Sequence, residues 1–324
     1  MNSFRRFIPA RVSSGLERAA RRLGRPFGLA IVYHRIGDPP GDVEREIVPA
    51  LGTQLFEAQL IYLAESFRVV PASELLPAVQ AWRRGERYPV AVTFDDDLAS
   101  HRQVAMPILQ HVGVPATFFL SGASLVEPYA FWWERLQLAF DCGLLDIGSL
   151  IPPPASEPAR RRSAESIHEL ARRIEELQPA DRAAVAAALE ARVGPDPPES
   201  GMRTGDIAAL VAAGFEIGFH TLRHDRLPPL DEAALMRAMT DGRSEVERAV
   251  GGPVTVISYP HGRADERVAA AARDAGYSYG FTTRHQPIRT IADPLLLGRF
   301  SPSYHSMREF AFVLSRAVGA RIRG

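Results

Sequence analysis

Three consecutive carboxylates, Asp95, Asp96 and Asp97, end the apolar run "VAVTFDDD" at 90–97. Adjacent acids repel, and each one demands water or a cation. Downstream, "HTLRH" places His220 and His224 four residues apart. At that spacing two side chains share a face in a helix, and also in an extended strand. Two imidazoles and one carboxylate form a facial donor set with open positions, which suits a catalytic divalent ion, zinc or another first-row metal. His34 ends "LAIVYH", and His261 follows "VTVISYP". Cys142 is the only cysteine, which excludes an internal disulfide and a thiolate metal cluster and suggests inert packing. No glycine-rich phosphate loop is present, so phosphoryl chemistry of that kind is set aside.

The elements that must carry these residues alternate. Apolar runs at 29–34, 90–94, 116–121, 215–220 and 254–260 read as buried strands, with weaker strands at 277–283 and 295–300. Helical patterns lie between them at 53–66, 72–84, 101–112, 231–250 and 265–275. Alternating strand and helix implies a parallel sheet with right-handed crossovers. About seven such units suit a closed or nearly closed barrel. In such folds the C-terminal ends of the strands form one rim, where His34, the three acids, His220, His224 and His261 would converge. The segment 125–205 breaks the rhythm, and its Pro-rich flanks mark a mostly helical insertion. Trp132 and Trp133, at its start, read either as insertion core or as plates for a sugar ring.

"TFDDD" (93–97), "HTLRH" (220–224) and "SYPHG" (258–262), in that order, resemble the polysaccharide deacetylase family with its NodB homology domain. "IVYHRIGD" (31–38), "ATFFLSG" (116–122) and "LFEAQLIYLAESFRVVPASELL" (55–76) are similar to its exopolysaccharide N-deacetylase members. The resemblance runs from Leu29 to Phe300 apart from the insertion, with 1–28 as a basic N-terminal helical segment and 29–324 as the barrel. It implies a distorted (β/α) barrel and a metal-dependent hydrolase that cleaves amide bonds other than peptide bonds. Asp95 would be the general base, and Asp96, His220 and His224 the metal ligands. A protonated His34 would be the general acid. The backbone at Tyr259 would hold the oxyanion, with His261 beside it as a substrate contact, a second candidate acid or merely a rim residue. Two departures stand out. Asp97 replaces a usual Gly, which requires a backbone that Asp adopts only at some cost and adds a charge able to raise the pKa of Asp95. The third motif has Ser258 near the place of an Arg that pairs with the base, and Arg299, ending "LLLGR", is a candidate from another strand.

Composition narrows the partners. Apolar residues make up 46% and charged residues 23% of the 324 residues, as in an ordinary globular protein. The formal net charge is zero, which argues against a nucleic-acid partner. No apolar stretch reaches transmembrane length. The N-terminus lacks the apolar core of a signal peptide, giving a cytoplasmic expectation. It holds seven Arg against Glu17, so it reads either as an amphipathic helix in peripheral membrane contact or as a helix packed on the domain; its mostly Ala face favours the second. The expected substrate is an N-acetylated glycan or a lipid-linked oligosaccharide. The rivals are O-deacetylation or deformylation at the same site, and a degenerate barrel that binds glycan or a partner without turnover.

Overall fold

In the computed structural model the described residues are 24–145, 150 and 166–319. They form β1 (Phe27–Tyr33), α1 (Thr53–Ser66), β2 (Arg68–Val69), α2 (Ala72–Ala81), β3 (Pro89–Asp95), a π-helical turn (His101–Ala105) that runs into α3 (Met106–Val112), and β4 (Thr117–Leu120). Three helices follow, α4 (Trp132–Asp141), α5 (Ile167–Glu175) and α6 (Pro179–Val193). Then come α7 (Thr204–Ala212), β5 (Glu216–Phe219), α8 (Glu232–Thr240), α9 (Arg243–Val250), β6 (Val256–Ser258), α10 (Glu266–Asp274), β7 (Tyr279–Phe281), β8 (Ile288–Arg289) and α11 (Met307–Gly319). The N-terminal helix expected within 1–28 falls almost wholly outside the described residues, and β1 already begins at Phe27. Among the described residues no helix is long and apolar enough to cross a membrane.

The sheet runs β7-β6-β5-β4-β3-β1-β8, with β2 paired to the start of β3. All the pairings are parallel except that of β8 with β1. The expected strand at 295–300 is not a regular strand. It makes two isolated parallel bridges instead, Leu297 to Phe281 of β7 and Phe300 to Ile31 of β1. Phe300 N–H donates to the Ala30 carbonyl at 2.8 Å, and Leu297 N–H to the Gly280 carbonyl at 2.9 Å. This segment thereby closes the distorted (β/α) barrel between its first and last parallel strands. The single helix expected over 231–250 is broken at Gly242, whose φ of 80° ends one helix and starts the next. The short β2 and β8, and α11, were not foreseen. Pairs of residues are too short to show a period.

Strand alternation sorts the core. Leu29, Ile31 and Tyr33 of β1 and Val90, Val92 and Phe94 of β3 pack beneath the helices. Ala30, Ala91, Phe119, Phe281 and Leu297 face the other way, against α2. Space there is tight: a Cβ on Gly218 would stand 2.3 Å from the Phe119 ring, so β5 needs glycine opposite that ring. A third cluster is the insertion's own, where Phe131, Trp132, Trp133 and Leu136 pack on Leu170 and Ile174 of α5 and Leu189 of α6. Cys142, expected as packing, is exposed just past α4.

Asp97 is not a strained stand-in for glycine. The left-handed backbone falls one residue earlier, at Asp96 with φ of 73°. Asp97 instead ties the end of β3 to the loop after β4. Its Oδ1 accepts from Ser121 N–H at 2.6 Å, and its Oδ2 accepts from Ser121 Oγ (2.8 Å), Gly122 N–H (3.0 Å) and Ser124 Oγ (3.2 Å). Charge-assisted bonds of this kind contribute most when buried. Asp97→Asn would turn an amide N–H₂ toward these donors. We expect it to lower unfolding free energy by about 2–3 kcal/mol, read from denaturant titration.

Candidate active site

β3 puts Asp95 on the same face as Ala91 and Thr93, inside the ring of strands. There it meets Arg299 from the closing segment. Arg299 Nη1 donates to Asp95 Oδ1 at 2.7 Å and Nη2 to Oδ2 at 2.6 Å, a bidentate pair. Arg299 is fully buried and also donates to Thr93 Oγ1, Ser258 Oγ and the Thr282 carbonyl. Ser258, standing where an Arg was looked for, donates its hydroxyl to Asp95 Oδ2 at 3.0 Å. Burial would raise the Asp95 pKa, but the charges of Arg299 and His220 outweigh burial and hold the carboxyl well below the usual range. The added charge of Asp97 does not lift it.

Asp96 has the opposite surroundings. Its Oδ1 is buried with no hydrogen-bond partner, and it stands 3.5 Å from His220 Nε2 and 3.5 Å from His224 Nε2. Burial first, then the charges of Asp95 and Asp97, push this carboxyl well above its ordinary pKa. His220 Nδ1–H donates to the Ser258 carbonyl at 2.8 Å, which leaves the Nε2 lone pair turned to Asp96. Burial holds both histidines below their ordinary pKa, His224 strongly so. Asp96, His220 and His224 offer ligand atoms all within 4.8 Å of one another. Donor atoms about 2 Å from one ion stand roughly 3–3.5 Å apart, so the set fits a divalent cation.

The two histidines do not share a helix or a strand. His220 follows β5 directly, and the chain then turns through Thr221 (φ 60°) and His224 (φ 50°). Among the described residues the non-glycine positions with positive φ are Asp96, Thr221, His224 and His261. Asp96, His224 and His261 border one cavity, and Thr221 directly follows His220.

A cavity of about 170 Å³ collects His34, Asp95, Asp96, His220, His224 and His261. The insertion supplies part of its wall through Trp132, Trp133 and Glu175. The tryptophans therefore serve both as insertion core and as wall. Burial pushes His34 down to about 4, with Asp95 pulling up against Arg299 and His220, so its resting imidazole is neutral and not protonated as expected. His261 Nδ1 lies 3.3 Å from Glu175 Oε1, a contact no sequence signal announced. Tyr259 is not a free oxyanion donor: its N–H donates to the Phe281 carbonyl at 3.0 Å, and its hydroxyl to the Leu295 carbonyl.

A polysaccharide deacetylase family model matches residues 184–280, a stretch that includes His220 and His224. Solved structures share the fold of this chain at low identity. Deacetylase PplD of Streptococcus pyogenes, in complex with acetate, is 14% identical with a TM-score of 0.57, covering 91% of this chain and 98% of its own. IcaB from Ammonifex degensii is 17% identical with a TM-score of 0.57, covering 92% and 99%. A de-N-acetylase from Aggregatibacter actinomycetemcomitans is 15% identical with a TM-score of 0.56, covering 88% and 99%. No curated protein sequence matches the chain.

His101, behind the site, gives a pH prediction. It is buried against Phe94 and Phe118, and its Nε2–H donates to the His34 carbonyl at 3.1 Å. Burial lowers its pKa from 6.5 to about 3. A depressed pKa adds stability above the unfolded value that is lost as pH falls. Unfolding free energy should fall from pH 6.5 toward pH 3. His101→Gln keeps a donor and should flatten that slope by about one bound proton, measured by denaturant titration across the range.

Proposed function

We propose that the protein is a metal-dependent N-deacetylase acting on an N-acetylated glycan or lipid-linked oligosaccharide in polysaccharide synthesis or modification. The observation that carries this reading is the orphaned Asp96 Oδ1, equidistant at 3.5 Å from two imidazole nitrogens and next to an Arg-held Asp95. Asp96, His220 and His224 would hold the ion, with zinc favoured by the donor set. A divalent ion in such a set acidifies water and polarises the acetyl carbonyl.

The chain's own groups do the rest. Asp95, kept ionised by Arg299, accepts the proton of the attacking water. A carboxylate of such low basicity suits only a water already acidified. His34, neutral at rest, can protonate the leaving amine only after the proton that Asp95 takes from the water has passed to it, because an amine departs poorly without one. With the Tyr259 N–H bonded within the sheet, the backbone at His261, turned by its φ of 56°, is the oxyanion donor that this reading retains. The fold relative described as a de-N-acetylase supports amide chemistry.

With a divalent ion present, an N-acetylated oligosaccharide should yield equal acetate and new free amine. Asp95→Asn should cut kcat by about 10²–10⁴-fold in folded protein. Acetate without new amine, from an O-acetylated substrate, would shift the reading to O-deacetylation. Formate release would mark a deformylase. No acyl release from any such substrate would leave the binding barrel.

A further inference from the structure

His220 and His224 are restrained in different ways. The Nδ1–H of His220 donates to the Ser258 carbonyl. His224 Nδ1 is buried and has no hydrogen-bond partner among the described residues. A histidine that ligates a metal ordinarily has its second nitrogen fixed by an acceptor. At His224, ring contacts and the next residue supply the restraint instead. Trp133 and Phe131, stacked on each other at 4.3 Å, stand 4.6 and 5.7 Å from the His224 ring, centroid to centroid. Both belong to the insertion. So does Arg182, a buried residue of α6 whose Nη2 donates to Oδ1 of Asp225, directly after His224. Arg182 Nη1 also donates to the Glu175 carbonyl at 3.4 Å. The Glu175 side chain in turn meets His261, whose ring lies 4.6 Å from that of His224. The insertion thus grips from several sides the turn that carries His224, and that turn has left-handed backbone at both Thr221 and His224. Such backbone persists only where its surroundings fix it.

We propose that Arg182 and Trp133 are positioning residues for His224, so that docking of the insertion and capture of the metal form one linked equilibrium. Arg182 acts through Asp225, and Trp133 acts through the imidazole ring itself. The barrel places the other two donors, Asp96 at the end of β3 and His220 through Ser258. The third donor depends on a segment that folds around its own core. The proposal rests on the reading of Asp96, His220 and His224 as metal donors. Linkage is reciprocal: whatever docking adds to metal affinity, the metal returns to docking.

Zinc affinity of the full chain is measured by competition with a chromophoric chelator, with circular dichroism to show that each variant is folded. Arg182→Gln and Trp133→Leu should each bind zinc about 10–100-fold more weakly than the wild type. Trp133→Phe, which keeps a ring against His224, should stay within about threefold of it. Hydrogen exchange of the wild type needs no variant to fold. Zinc should slow amide exchange across 179–193, and that protection should vanish in Arg182→Gln. Affinities of Arg182→Gln and Trp133→Leu within about twofold of the wild type would overturn the positioning role and leave the metal reading standing. Exchange at 179–193 that bound zinc leaves unchanged would do the same. A wild type that binds neither zinc nor cobalt would sink both.

Discussion

The buried ion pair between Asp95 and Arg299 holds the structure and the site together. Arg299 stands in the segment that closes the barrel between β7 and β1, and Asp95 ends β3. Two charges out of water are costly, and this pair offsets the cost with bidentate geometry and further bonds to Thr93, Ser258 and Thr282. Removing either partner would strand a charge, at a cost of about 3–5 kcal/mol. The closure of the barrel and the ionised state of Asp95 thus depend on one contact. Ser258 extends it, because the same residue touches Asp95 through its hydroxyl and orients His220 through its carbonyl.

That pair also explains how three adjacent acids can be buried. Asp95 is balanced by a guanidinium and Asp97 by four donors from the loop after β4. Asp96 has neither, and its Oδ1 faces the Nε2 atoms of His220 and His224. A cluster of acceptors without a donor is unstable unless a proton or a cation enters it. The rise in the Asp96 pKa expresses the proton alternative, and the donor set expresses the cation.

Much of this was legible in the sequence because long alternating runs carry a strong period. The strands ending in Asp95 and His220 and the helix at 53–66 stand where the pattern puts them. Arg299 was nameable only as a candidate, since pairing across 204 residues leaves no local trace. The left-handed position was misplaced from Asp96 to Asp97, because both are Asp and only tertiary bonds distinguish them. The Tyr259 donor failed for a similar reason: pairing to Phe281 is a property of the sheet, not of "SYPHG". Glu175 lay unmarked in a repetitive Arg- and Ala-rich stretch, yet the insertion carries it to His261.

The insertion therefore does more than decorate the barrel. It adds a core of its own and walls the cavity that holds Asp95, Asp96, His220 and His224, and Arg182 of α6 pairs with Asp225, the residue after His224. The proposed hydrolysis requires an ion on Asp96, His220 and His224. The direct test is metal content by mass spectrometry of protein purified without chelator, wild type beside His220→Ala. The account predicts about one equivalent of a divalent metal in the wild type and its loss in the variant. A wild type that stays empty after zinc, cobalt, nickel, iron and manganese are added back would contradict it.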